Sequence, residues 1–157
     1  YKICVDNHMR LNSKKTYLSK NPFFSGSSVC LSELFKAPKF IYMDREMSQV
    51  APSFFSLKKF LSHVFYGKQP SKMQYKSILK TLHFWRDASV NEIYKSATFR
   101  VSFEKLTTEP MNLVIKIYTF LGIKMGAEYK NGLIEEVEKA KVYKSEHKYS
   151  STDIDLD

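Results

Sequence analysis

The fold of this chain is decided by residues 39–53, KFIYMDREMSQVAPS. The first half is an almost unbroken apolar run, which predicts a strand buried on both faces. The run ends in Arg45, and a polar turn leads into a predicted helix over about 49–65 that carries Ser53. Arginine binds phosphate through a planar fork, and ligands of α/β sheets bind where strands end. The stretch therefore predicts a site for a phosphorylated ligand.

Two interpretations of this stretch remain open on spacing alone. In the first, Arg45 and Ser53 bind one phosphate monoester together with the free N–H groups at the start of the helix. In the second, Arg45 is a surface side chain paired with Asp44 or Glu46, and Ser53 serves only to cap the helix. The residue types fit both interpretations.

Lys20 is a second candidate site residue. It follows a predicted short strand at 16–19 and precedes Asn21-Pro22, a pair that favours a loop. A lysine at the carboxyl end of a strand can neutralise an anionic group during its transfer. The alternative is a solvated lysine, which is the commoner role for this residue type.

The composition describes a basic chain of 157 residues, one domain in length, with a net charge of +9. That charge favours anionic partners, although a solvated lysine-rich surface accounts for it equally well. Two cysteines, Cys4 and Cys30, are too few for a disulfide framework or a zinc site, and we expect two free, buried thiols. No apolar run has the length of a membrane span.

The remaining pattern alternates helices with strands, which predicts an α/β fold with a parallel sheet of three strands. A strand is predicted at 99–103, and the helices are predicted at 2–11, 28–35, 72–95 with a break near Asp87, 110–121 and 127–142. The helix at 49–65 is expected to have Pro52 near its first turn. Its apolar residues at helical spacing predict one core face, formed by Val50, Phe54, Leu57, Leu61 and Val64. The domain is expected to span 1–142. The tail, 143–157, is basic and then acidic, and is either a lid over a phosphate or a solvated terminal segment.

Five stretches, in order along the chain, resemble the sulfotransferase family. Residues 17–22, YLSKNP, are similar to the strand and loop that carry an active-site lysine, and residues 39–53 to the segment that binds a 3′-phosphate. Residues 101–110, VSFEKLTTEP, and 117–122, IYTFLG, resemble two further family segments. Residues 143–150, YKSEHKYS, resemble the tail of one broad branch of the family.

The resemblance implies a P-loop NTPase-like sulfotransferase fold, a parallel sheet flanked by helices. It implies transfer of a sulfuryl group from 3′-phosphoadenosine 5′-phosphosulfate (PAPS) to a hydroxyl or amine, with no metal. Arg45 and Ser53 would hold the 3′-phosphate, and Lys20 would be the catalytic residue near the transferred group. The cofactor-binding residues Lys144, Ser145 and His147 would close over the nucleotide.

The chain also departs from the family pattern. The family's N-terminal strand and Ser/Thr-rich phosphate loop have no counterpart, so the sheet is expected to be incomplete without an upstream segment or a partner chain. The usual Asp-Pro after the arginine is Glu46-Met47, and the usual Arg-Asp that follows is Ser48-Gln49. These departures keep open a non-catalytic structural subunit of a larger assembly as the alternative to an enzyme.

A second alternative is a basic nucleotide- or RNA-binding domain, which the absence of Gly-rich, basic-aromatic motifs disfavours. The acceptor and the catalytic base are not identified by any motif. A location in the cytosol or in an organelle lumen fits the sequence equally well.

Overall fold

The computed structural model describes residues 1–12, 15–90 and 98–143. Within these ranges the chain forms a two-stranded sheet, seven α-helices and a short 3-10 helix, Pro22–Gly26. The α-helices are α1 (Lys2–Leu11), α2 (Ser28–Leu34), α3 (Met47–Tyr66), α4 (Lys72–Val90), α5 (Phe103–Thr108), α6 (Pro110–Leu121) and α7 (Ala127–Val142). The strands are β1 (Phe40–Asp44) and β2 (Thr98–Ser102).

The sheet confirms the central prediction of a parallel α/β architecture. Strands β1 and β2 run parallel, with Phe40 opposite Thr98 and Asp44 opposite Ser102. Val101 in β2 is completely buried. Each strand leads almost directly into a helix, β1 into α3 and β2 into α5. The residues that follow the two strands therefore meet at one edge of the sheet.

The predicted strand at 16–19 is wrong. Residues 16–21 have no regular secondary structure, and no strand in the described part of the chain pairs with them. A β-strand is stabilised by hydrogen bonds to a neighbour, so alternating side chains do not form one without a partner. The side chain of Tyr17 instead contacts α1, with its ring centroid 5.8 Å from that of His8.

Helix α3 begins at Met47, two residues earlier than predicted, and this changes the position of Pro52. Pro52 is the sixth residue of the helix and lies in its interior, not in its first turn. Its nitrogen cannot donate to the carbonyl of Ser48, so one helical hydrogen bond is missing. The proline ring is buried, as are the neighbouring Ala51 and Phe55, which face α4. Burial of these side chains offsets the lost hydrogen bond.

The main core lies between α3 and α4. Phe55 packs edge-on against Tyr75, with ring centroids 5.1 Å apart, and Leu82 of α4 completes this buried cluster with Ala51. Desolvation in this core raises the pKa of Tyr75. The core is therefore aromatic, and it fixes the first half of α3 in place.

The second half of α3 differs from the prediction of a continuous core face. Val50 and Phe54 pack against the core, but Leu57, Leu61 and Val64 are 49%, 37% and 56% exposed. The buried face of the helix runs through Ala51, Phe55 and Ser62, on the opposite side. We call the exposed group the apolar end of α3; its members are Leu57, Phe60, Leu61, Val64, Phe65 and Tyr66.

Three smaller expectations also differ from the structure. Cys4 and Cys30 are free, as expected, but exposed, because α1 buries only Val5 and α2 buries no residue. Helix α4 continues through Asp87, where no glycine or proline interrupts it. Helix α5 was not predicted; it begins after Ser102, whose hydroxyl accepts a hydrogen bond from the backbone N–H of Lys105 at 3.5 Å.

No helix in the described ranges is both long enough and apolar enough to cross a membrane.

Candidate functional site

Arg45 lies at the carboxyl end of the sheet, where β1 and β2 end side by side. Its guanidinium carbon is 4.2 Å from the ring centroid of Phe103, the first residue of α5. A guanidinium over an aromatic face is held by cation–π attraction and by contact area. The two parallel strands thus bring a cation and the ring beneath it to the edge where α/β sheets bind ligands.

Gln49 holds the same arginine from a second side. The Nε of Arg45 donates a hydrogen bond to Oε1 of Gln49 over 3.0 Å. Gln49 is the third residue of α3, and Ser53 follows it by four residues, so both lie on one helix face with their Cβ atoms about 5–6 Å apart. Arg45, just before α3, contacts Gln49, and Ser53 lies one turn beyond Gln49 on the same helix face. We call these three residues the row on α3. In the sequence, Gln49 is marked only as a departure from the family pattern and not as a site residue.

The second interpretation of this stretch is not what the structure shows. Among the residues that the structure describes, no carboxylate forms an ion pair with Arg45, and both Asp44 and Glu46 are exposed. Ser53 does not cap α3, because Glu46 occupies the N-cap position and Ser53 is the seventh helical residue. Neither a salt bridge nor a capping role explains the pair.

The start of α3 contributes further positive potential. The first backbone hydrogen bonds of this helix run from Gln49 and Val50 to the carbonyl of Glu46, which leaves the N–H groups of Met47 and Ser48 without helical acceptors. These groups and the helix dipole favour an anion. The carboxylates of Asp44 and Glu46, on either side of Arg45 in the sequence, act in the opposite direction.

Lys20 lies on the exposed loop before the 3-10 helix. Asn21 caps that helix by accepting a hydrogen bond from the N–H of Phe23 at 3.0 Å. Within the described residues, no hydrogen bond or ion pair joins Lys20 to Arg45 or Ser53. The predicted lid residues Lys144, Ser145 and His147 lie outside the described residues.

Trp85 of α4 connects the Lys20 loop with the helix that carries Ser53. The ring centroid of Phe23 is 5.3 Å from that of Trp85, and the centroid of Phe54 is 6.0 Å from it. Both contacts are edge-to-face, the arrangement that aromatic rings prefer. The loop and α3 therefore rest on the same indole ring, although Lys20 itself does not contact the row on α3.

The structure also contains an open cavity of about 290 Å³ away from these residues. It lies between α6 and α7 and is lined by Ile115, Tyr118, Thr119, Ile123, Met125 and Lys130. A hydrogen bond with Tyr129 raises the pKa of Tyr118. No predicted site residue lines this cavity. The described ranges contain no group of three metal-ligating side chains.

Comparison with known proteins supports the resemblance seen in the motifs. No curated protein and no solved structure matches the chain. A family model described as "Sulfotransferase family" matches residues 2–127, a range that contains both strands, Lys20 and the row on α3. The match covers most of the 157 residues. The chain therefore belongs to the sulfotransferase family.

Proposed function

We propose that this protein binds PAPS and takes part in transfer of its sulfuryl group to a hydroxyl or amine acceptor. Arg45 and Ser53 hold the 3′-phosphate of the donor. One observation carries this proposal: the guanidinium of Arg45 has no carboxylate partner among the described residues, although it is held at the ligand-binding edge of a parallel sheet. Family membership supplies the class of reaction.

The side chains in the row suit a phosphate monoester. Nε of Arg45 is engaged by Gln49, so the two terminal nitrogens of the guanidinium are the donors for a bidentate contact. The hydroxyl of Ser53, which is half-buried on the second turn of α3, adds a neutral donor. A dianion with three acceptor oxygens matches this set better than a carboxylate, which has two oxygens and a single charge.

The other predicted site residues receive roles that complement this row. PAPS would supply the sulfuryl group: a bond would form between its sulfur and the acceptor oxygen or nitrogen, the bond between sulfur and the bridging oxygen would break, and 3′,5′-adenosine bisphosphate would leave with negative charge on that oxygen. The acceptor's proton would pass to a base that is not assigned. Lys20 neutralises that charge as the catalytic cation. Lys144, Ser145 and His147 lie outside the described residues, and only the family resemblance supports a role for them in closing over the nucleotide.

A further part of the proposal concerns the sheet. In the described part of the chain, β1 and β2 pair only with each other, and so each has an open edge. A two-stranded sheet is marginally stable on its own and needs further strands or helices packed against it. We infer that an upstream segment of the polypeptide or a partner chain adds strands in the P-loop NTPase-like arrangement and supplies the loop for the 5′-phosphosulfate.

The test is calorimetry of the intact protein with 3′,5′-adenosine bisphosphate, which carries the same 3′-phosphate as PAPS. We expect binding that Arg45→Ala weakens by about 1.5–3 kcal/mol, the range for a hydrogen bond to a charged group. The matched control is Arg100→Ala, because Arg100 lies on β2 with its guanidinium 5.5 Å from the ring of Tyr42. It should leave the affinity unchanged. Absence of binding by the unaltered protein would reject the nucleotide site and favour the structural-subunit alternative.

A further inference from the structure

Arg45 is held by two uncharged side chains that come from different elements. Phe103, at the start of α5, lies 4.2 Å from the guanidinium carbon. Gln49, in the first turn of α3, accepts a hydrogen bond from Nε at 3.0 Å. Together the two contacts restrict both the tilt and the rotation of the guanidinium, while neither reduces its charge.

The neutrality of these contacts matters because of where Arg45 lies. The side chain is half-buried, and a pair of charges there is screened less than a fully exposed pair. A carboxylate at position 49, at the same distance from Nε, would form an ion pair with the guanidinium and compete with any bound anion. The amide of Gln49 fixes the same geometry without that competition.

We propose that Gln49 and Phe103 are positioning residues that keep Arg45 oriented and uncompensated, and that they thereby set the preference for nucleotides with a 3′-phosphate over nucleotides without one. This inference rests on the proposed function of Arg45. Gln49 acts on Arg45 through the hydrogen bond to Nε, and Phe103 acts on Arg45 through contact with the face of the guanidinium. Their effect therefore appears in the discrimination between ligands that differ only at the 3′ position.

The experiment measures, by calorimetry on the intact protein, the ratio of affinities for 3′,5′-adenosine bisphosphate and 5′-AMP. Gln49→Glu replaces the amide by a carboxylate of nearly the same shape, and we expect the ratio to fall by about tenfold or more. Phe103→Leu keeps an apolar side chain but removes the ring, and we expect a smaller fall of roughly threefold, as for an exposed cation–π contact. A purely structural role would change both affinities equally and leave the ratio unaltered.

The matched control is Gln74→Glu. Gln74 occupies the third position of α4, as Gln49 does in α3, and its Oε1 accepts a hydrogen bond from the N–H of Ser71 at 2.9 Å. A glutamate makes the same cap, so this variant should keep the original ratio. It introduces the same charge as Gln49→Glu, but away from Arg45.

A second comparison tests whether Gln49 acts through the arginine. In protein that already carries Arg45→Ala, Gln49→Glu should change the ratio by less than about twofold, because coupled residues are not additive. If Arg45→Ala abolishes discrimination but Gln49→Glu and Phe103→Leu leave the ratio of the unaltered protein intact, the positioning inference is wrong and the proposed function stands. If the unaltered protein shows no preference for the bisphosphate, both are wrong.

Discussion

Lys39 and Arg45 lie at opposite ends of β1, and each cation is placed near an aromatic ring. Nζ of Lys39 is 5.5 Å from the ring centroid of Phe120 and donates hydrogen bonds of 2.8 and 2.9 Å to the last two carbonyls of α6. Arg45 lies closer to its ring, that of Phe103, and its one described hydrogen bond goes to a neutral amide. The difference separates two arrangements. Lys39 caps a helix, whereas the terminal guanidinium nitrogens of Arg45 form no hydrogen bond within the described residues and are the donors that we propose for the phosphate.

The largest effect on stability that this comparison predicts is at Lys39. Lys39→Met removes two charge-assisted hydrogen bonds and the favourable contact of a cation with a helix C-terminus. Because Lys39 is exposed, we expect the free energy of unfolding to fall by about 1–2 kcal/mol, below the full value for two such bonds. Urea denaturation measures the change, and Lys36→Met, at an exposed lysine in the preceding loop, is the control.

The comparison also predicts that each of the two substitutions changes only one property, either stability or ligand affinity. Lys39→Met should leave the affinity for 3′,5′-adenosine bisphosphate unchanged, and Arg45→Ala should alter the free energy of unfolding by less than about 0.5 kcal/mol. A variant of Lys39 that loses ligand affinity as severely as Arg45→Ala would show that the two cations do not have separate roles.

Ser53→Ala is expected to have the next largest effect. It removes one neutral donor from the proposed phosphate contact, and the affinity for the bisphosphate should weaken by about 0.5–1.5 kcal/mol. Stability should not fall, because Ser53 does not cap α3. Calorimetry with Ser77→Ala, a serine in the interior of α4, provides the control. An unchanged affinity would remove Ser53 from the site and leave Arg45 as its principal residue.

The smallest effect concerns the acidic neighbour of the arginine. Glu46 is exposed and makes no side-chain hydrogen bond as the N-cap residue of α3. Glu46→Gln removes a charge that repels an incoming phosphate, so the affinity should strengthen by roughly 0.2–1 kcal/mol. The gain should shrink as salt is added, since exposed charges are screened. A loss of affinity would instead indicate that Glu46 helps to orient the turn after β1.

The sequence was sufficient to predict β1, its parallel partner and the cation that follows it. An apolar run of strand length and an arginine directly after it can be recognised from neighbouring residues alone, so their interpretation does not depend on the rest of the fold. The strand expected at 16–19 is wrong, because strand formation depends on a neighbour that local pattern does not specify. The contact between Arg45 and Gln49 was missed for a related reason, since it depends on where α3 begins.

The core face of α3 is a second feature that the local sequence pattern did not predict correctly. Large apolar residues at Leu57, Leu61 and Val64 predicted burial, but the buried face contains Ala51 and Ser62. Small residues allow close approach of two helices and carry almost no hydrophobic signal. The helical periodicity therefore identified an apolar stripe correctly, but the prediction that the whole stripe is buried was wrong. The contact of Phe103 with Arg45 could not be predicted from the sequence pattern either, because only the pairing of β1 with β2 brings the two residues together.

The apolar end of α3 has a practical consequence for assays of folding. Six large hydrophobic side chains are exposed there, and we expect them to bind a fluorescent dye such as ANS even when the protein is fully folded. Dye fluorescence is normally taken as a mark of a molten globule, and here that conclusion would be mistaken. Near-ultraviolet circular dichroism of Trp85, the single tryptophan, is the better reporter, because its ring is packed between Phe23 and Phe54 only in the native state.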